Sequence, residues 1–82
     1  MQNVFEKVKR LNQKAFGARL QEARMKTELS TNQVSAMIGV SQSTISRYEN
    51  AKIFPTVDRL YDLANLYGCS MDWLCGMEEE HK

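Results

Sequence analysis

Gln42, Ser43, Thr44, Ser46 and Arg47 crowd one short stretch of this chain. Amides, hydroxyls and a guanidinium are poor core material, because burying such groups unpaired costs free energy. They suit planar partners that display fixed patterns of donors and acceptors, and the edges of nucleic-acid bases are partners of that kind. Gln42 can bond N6 and N7 of adenine as a bidentate pair, Arg47 can do the same to O6 and N7 of guanine, and the Thr44 methyl can touch thymine. On a helix, positions 43 and 47 share a face, 42 and 46 lie beside it, and Ile45 and Tyr48 point the other way. Chemistry of this sort requires a rigid element that holds its polar side away from the protein.

The surrounding residues, 29–50, read LSTNQVSAMIGVSQSTISRYEN. Ser30 and Gln33 have the capping-box spacing of a helix start. Leu29, Val34, Met37 and Ile38 then form an apolar stripe at helical intervals. Gly39 stands where the chain must leave that helix with positive φ, which a residue without Cβ adopts at no steric cost. Ser41 is a fresh N-cap, and Ile45 and Tyr48 give the next helix its buried side. Two short helices around a tight turn at 39–41 are a helix-turn-helix pattern. Thr31, in the first turn of the leading helix, can offer its hydroxyl and backbone N–H to a phosphate, helped by the helix dipole.

On these residues the chain resembles the phage repressor/Cro-type (C1-type, XRE) helix-turn-helix family. The match runs through Leu29-Ser30, Gly39-Val40-Ser41, Ser43-Thr44-Ile45-Ser46-Arg47, Glu49, Pro55, Leu63-Ala64, Leu66, Gly68 and Asp72-Trp73-Leu74, and covers residues 16–76. The resemblance implies an all-α fold: a compact, lambda-repressor-like bundle of about five helices around a central helix-turn-helix. It implies sequence-specific binding of double-stranded DNA as a transcriptional regulator, in the sense of a repressor, with residues 42–50 in the major groove. It adds Ser41, Asn50 and Lys52 to Thr31 as phosphate contacts. In related repressors the position of Arg24 pairs with the acid that here is Glu49, which implies a partly buried ion pair joining the first and third helices. The family has glycine where Ala51 stands, so Asn50 is expected to take the left-handed conformation instead. Cys69 occupies a position that the family fills with a buried aliphatic residue.

The rest of the chain reads as further helices. Asn3 and Glu6 repeat the capping-box spacing, with Val4, Val8, Leu11 and Ala15 at helical intervals, so residues 3–11 are expected to form an amphipathic extension ending near Asn12. Packing across the domain is its favoured role; dimer contact, or phosphate contact through Lys7, Lys9, Arg10 and Lys14, is the alternative. Residues 15–27 form the first core helix, with Phe16, Leu20 and Ala23 inward. Ile53 and Phe54 are adjacent apolar residues in a loop, expected to tuck into the core, with a partner surface as the other possibility. Thr56 caps a fourth helix that buries Val57, Leu60, Leu63, Ala64, Leu66 and Tyr67 and ends at Gly68. Ser70 caps a short fifth helix whose apolar members are Met71, Trp73 and Leu74, with Trp73 closing the bottom of the core. The division is thus an extension over 1–14, a DNA-binding domain over 15–76 and a frayed acidic tail over 77–82.

Eighty-two residues make one small domain, and the net charge is only +1. That balance hides a segregation: residues 1–26 carry +5 and residues 27–82 carry −4. A basic face for phosphates and an ordinary solvated surface fit this pattern equally. Cys69 and Cys75 match neither zinc nor redox spacing, and the only histidine is His81 in the tail, so no metal or cofactor is expected. No apolar run approaches a membrane span and the N-terminus is charged, which makes the cytoplasm the expected compartment. No catalytic motif appears, so an enzyme is not expected. The partner expected is a near-palindromic DNA operator bound by a homodimer, with residues 53–54 and the fifth helix as the dimer surface and no small-molecule effector implied. The alternative is an antitoxin or other protein-interaction module built on the same fold.

Overall fold

The computed structural model describes residues 10–77. Among them five helices follow one another: α1 (Gln13–Lys26), α2 (Thr31–Ile38), α3 (Gln42–Glu49), α4 (Val57–Tyr67) and α5 (Met71–Leu74). No strand occurs among the described residues. The expected helix over 3–11 falls almost wholly outside the described residues, as does the tail beyond Met77.

Local chemistry explains where each helix starts. Ser30, Ser41, Thr56 and Ser70 are N-caps, and their hydroxyls accept from the backbone N–H of Gln33, Thr44, Arg59 and Trp73. Each such cap contributes about 1 kcal/mol by satisfying a donor that the helix cannot. The capping box of α2 is complete, with the Gln33 side chain accepting from the Ser30 N–H at 2.8 Å. Gly39 and Gly68 close α2 and α4 in the left-handed region at φ 75° and 68°.

Phe16, Leu20, Val34, Ile45, Leu63 and Leu74 are the fully buried centre of the core, drawn from all five helices. α2 packs on α3, α1 on α3, and α4 and α5 close the far side against α1. α3 is therefore held by two helices along its apolar side and keeps the other side free.

Several expectations need correction. Asn12 is the N-cap of α1: its side chain accepts from the Ala15 N–H at 3.0 Å, so α1 begins at Gln13 rather than at Ala15. The left-handed residue after α3 is Ala51 at φ 60°, while Asn50 has φ −93°. The cause lies in the hydrogen bonds: Lys52 N–H reaches the Arg47 carbonyl at 2.9 Å and Ala51 N–H the Tyr48 carbonyl at 3.3 Å. That Schellman pair puts the left-handed turn at 51, although it costs a residue with a Cβ about 1 kcal/mol. Met37 and Val57 are exposed rather than core-facing, at 59% and 73%. Ile53 and Phe54 stay outside the core at 40% and 41% exposure, although the Phe54 ring makes an edge-type contact with Phe16 at a centroid distance of 5.2 Å.

Candidate nucleic-acid interface

α3 presents two chemically distinct sides. Ile45 and Tyr48 are buried, at 1% and 6% exposure. Gln42, Ser43 and Arg47 are exposed on the opposite side, with Asn50 and Lys52 exposed just past the helix end. Thr44 and Ser46 are half-buried at the flanks. An α-helix with its polar side uncovered has the width that the major groove admits.

The hydroxyls at the start of α3 are linked. Ser41 Oγ lies 2.8 Å from Thr44 Oγ1 and 3.1 Å from Ser43 Oγ while it accepts from the Thr44 N–H. Thr44 thus has its hydroxyl engaged within the protein and its methyl left for apolar contact. Across the turn, Gln42 Nε2 donates to Thr31 Oγ1 at 2.9 Å. The structure therefore joins two residues that sequence spacing left eleven positions apart. Gln42 retains one N–H and its carbonyl oxygen, and the Thr31 hydroxyl hydrogen is free to donate onward. A phosphate at Thr31 and a base edge at Gln42 can be read by one connected pair. At the other end, Asn50 Nδ2 donates to the Ser46 carbonyl at 2.8 Å and lies 3.3 Å from Ser46 Oγ. In this conformation the Asn50 amide donors close the helix end rather than point outward.

What aims α3 lies behind it. Arg24 Nε and Nη2 donate to the two carboxylate oxygens of Glu49 at 2.6 and 3.0 Å, and Nη1 donates to the Leu29 carbonyl at 2.9 Å. One guanidinium thereby ties α1 to the end of α3 and to the loop that leads into α2. Both side chains are largely buried, 14% and 5% exposed. The hydrogen bond to Glu49 raises the Arg24 pKa, against the opposing effect of desolvation. Burial pushes the nearby Tyr67 hydroxyl far above its usual range, with the Glu49 carboxylate adding to the shift. The phenol is therefore neutral and the Arg24 guanidinium charged at neutral pH.

Two contributors escaped sequence reasoning. Gly17 lies in the middle of α1, where glycine is unfavourable. A Cβ there would stand 2.5 Å from the Glu49 carbonyl oxygen and 3.0 Å from that of Tyr48. The glycine lets the backbones of α1 and α3 touch; its only signal was its presence inside an otherwise helical run. Arg59, on α4, donates from Nη1 to the Ile38 carbonyl at 2.6 Å, and nothing in its spacing marked it.

A helix-turn-helix family model matches residues 20–74. The chain belongs to the phage repressor/Cro-type helix-turn-helix family. Within that family it is 34% identical over 68 residues to the HTH-type transcriptional regulator ImmR of Bacillus subtilis strain 168, covering 83% of this chain and 54% of that one. The chain thus spans about half the length of the curated relatives it matches. Among solved structures it is similar to the P22 c2 repressor in complex with a synthetic operator, at TM-score 0.72 and 28% identity over 77% of this chain and 96% of that one. The DNA-binding domain of BldD is similar at TM-score 0.66 and 29% identity, over 77% and 92% of the two chains. No group of three or more metal-ligating side chains occurs among the described residues. No helix of the described residues is long and apolar enough to cross a membrane.

Proposed function

We propose that this chain is a sequence-specific, double-stranded-DNA-binding transcriptional regulator that acts in the cytoplasm by placing α3 in the major groove. One observation carries this reading: α3 is clamped from behind by buried Ile45 and Tyr48 and by the Arg24–Glu49 pair, yet Gln42, Ser43 and Arg47 stand uncovered. Gln42, Ser43, Thr44, Ser46 and Arg47 are the base-reading set, and Thr31, Ser41 and Lys52 position the backbone, joined by Asn50 once its amide turns from the Ser46 carbonyl to a phosphate. The operator-bound state of the similar P22 c2 repressor supports the choice of ligand. Selection of bound sites from random duplexes tests the reading, together with a salt titration. A slope of about −0.9 in log K per phosphate neutralised is expected. Recovery of no preferred sequence would overturn it.

Arg47→Ala should cost about 1–3 kcal/mol, confined to one base position of the selected site, whereas Lys52→Ala should weaken all sequences alike and reduce the salt slope by about one. Titration of both variants against the selected site and its single-base changes separates the two roles. An equal loss on every sequence for Arg47→Ala would remove it from the base readers.

The regulator binds as a homodimer on a near-palindromic site, with the two copies of α3 about 34 Å apart. The surface that supports this is the exposed apolar group Ile53, Phe54, Val57 and Tyr61. It begins just beyond the end of α3, so a second copy seated there brings the two reading helices close to a common axis. In α5, by contrast, Leu74 is buried and Trp73 half-buried. Val57→Asp should keep the fold, since the first turn of a helix favours a carboxylate. Across a two-fold the new charges would oppose each other, so the palindromic site should be bound at least about tenfold more weakly, with half-site affinity unchanged. Unaltered cooperativity on the full site would exclude this surface.

A further inference from the structure

We propose that Arg59 is a positioning residue for DNA recognition: it pins the C-terminal end of α2 to α4 and so sets the turn from which α3 departs. The proposal rests on the DNA-binding reading above and adds a residue that lies on neither helix of the helix-turn-helix. The last carbonyls of any helix lack partners within it and carry the negative pole of its dipole. α2 has no basic residue in its last turn. Beyond its end, the N–H groups of Gly39 and Val40 both go to the Ser35 carbonyl, at 2.9 and 3.1 Å. The Ile38 carbonyl is met instead by Arg59 Nη1 at 2.6 Å, from 21 positions further along the chain. A cation from α4 thus closes the helix whose next residue, Gly39, starts the turn.

The location gives the contact its leverage. Gly39, Val40 and Ser41 are the whole connection between α2 and α3, and Ser41 is the N-cap of the reading helix. Arg24 holds the far end of α3 through Glu49, so Arg59 and Arg24 fix the two ends of one lever. Asp62, one turn along α4, approaches the same Nη1 at only 4.0 Å, and both of those side chains are well exposed, at 39% and 46%. An exposed pair at that range contributes little. The carbonyl contact therefore governs where the guanidinium sits.

Amide hydrogen exchange and DNA titration on the whole chain test the idea, using Arg59→Ala, Arg59→Lys and Asp62→Asn. Arg59→Ala should speed exchange at Gly39 and Val40, whose N–H groups are hydrogen-bonded at the turn, and weaken the selected site roughly five- to tenfold, as expected for a lost charged hydrogen bond that is partly solvated. The salt slope should not change, because no phosphate contact is removed. Arg59→Lys, which keeps a cation near the helix end, should recover much of the protection, and Asp62→Asn should alter neither readout. Unchanged exchange at the turn in Arg59→Ala overturns the proposal. So does an equal loss on selected and random duplexes with the salt slope reduced by about one, which would make Arg59 a phosphate contact. If the unaltered chain bound no DNA, the functional reading would fail, while the exchange data would still decide whether Arg59 sets the turn.

Discussion

Glu49→Ala is expected to destabilise the domain by about 3 kcal/mol, because it leaves the Arg24 guanidinium largely buried and without its counter-charge. For a domain of this size that corresponds to a fall of roughly 15 °C in melting temperature. The remaining bond from Arg24 to the Leu29 carbonyl moderates the loss but cannot neutralise the charge. The intact pair is not a large net source of stability, since desolvation of two ions offsets much of their attraction. Its effect is geometric: two parallel N–H···O bonds fix the end of α3 relative to α1. The double variant Arg24→Met with Glu49→Leu should therefore recover most of the melting temperature and still bind the selected site more weakly than the unaltered chain. Thermal unfolding followed by circular dichroism, with titration of the same samples, checks both parts. A single-variant loss of only a degree or two would show that solvent already reaches the pair.

Gly17→Ala is the second large effect, and its sign is informative. In an ordinary helix interior this change gains about 1 kcal/mol. Here the added methyl meets the Glu49 backbone carbonyl at 2.5 Å, a separation that real Cβ atoms do not show, and the obstacle is main chain rather than a flexible side chain. Overpacking of this kind costs about 1–3 kcal/mol or more and moves the elements apart. The expected result is a net loss of about 2 kcal/mol together with weaker operator binding, because α3 must lift from α1 at the end anchored by Glu49. A rise in melting temperature would mean that α1 and α3 are not in backbone contact.

The helix-turn-helix and its caps were legible because their causes are local. Ser30 with Gln33, Ser41, Gly39 and Gly68 each act within a few residues of themselves, and each does in the structure what its type and spacing suggest. The two-sided character of α3 was legible for the same reason, since helical periodicity alone separates Ile45 and Tyr48 from Gln42, Ser43 and Arg47. Burial at the edges was less so. Met37 and Val57 carry core chemistry at acceptable intervals, yet each falls on the rim, where the neighbouring helix no longer covers it. The left-handed residue after α3 is not the one propensity favours: Asn50 tolerates that conformation better than Ala51, but the hydrogen bonds that close the helix fall at 51 and 52.

The amino-acid order alone determined that this is a helical domain in which one short capped helix turns a polar side outward, because capping and amphipathicity are satisfied within one or two turns. The family resemblance already implied the Arg24–Glu49 pair; only the tertiary structure decided the rest of how that helix is held: Gly17 beneath its backbone, Arg24 reaching the Leu29 carbonyl as well, Thr31 steadying Gln42, and Arg59 closing α2 from another helix. Those contacts join residues whose separation along the chain carries no periodic signal. They exist because packing brings together backbones and polar groups that no local rule could pair.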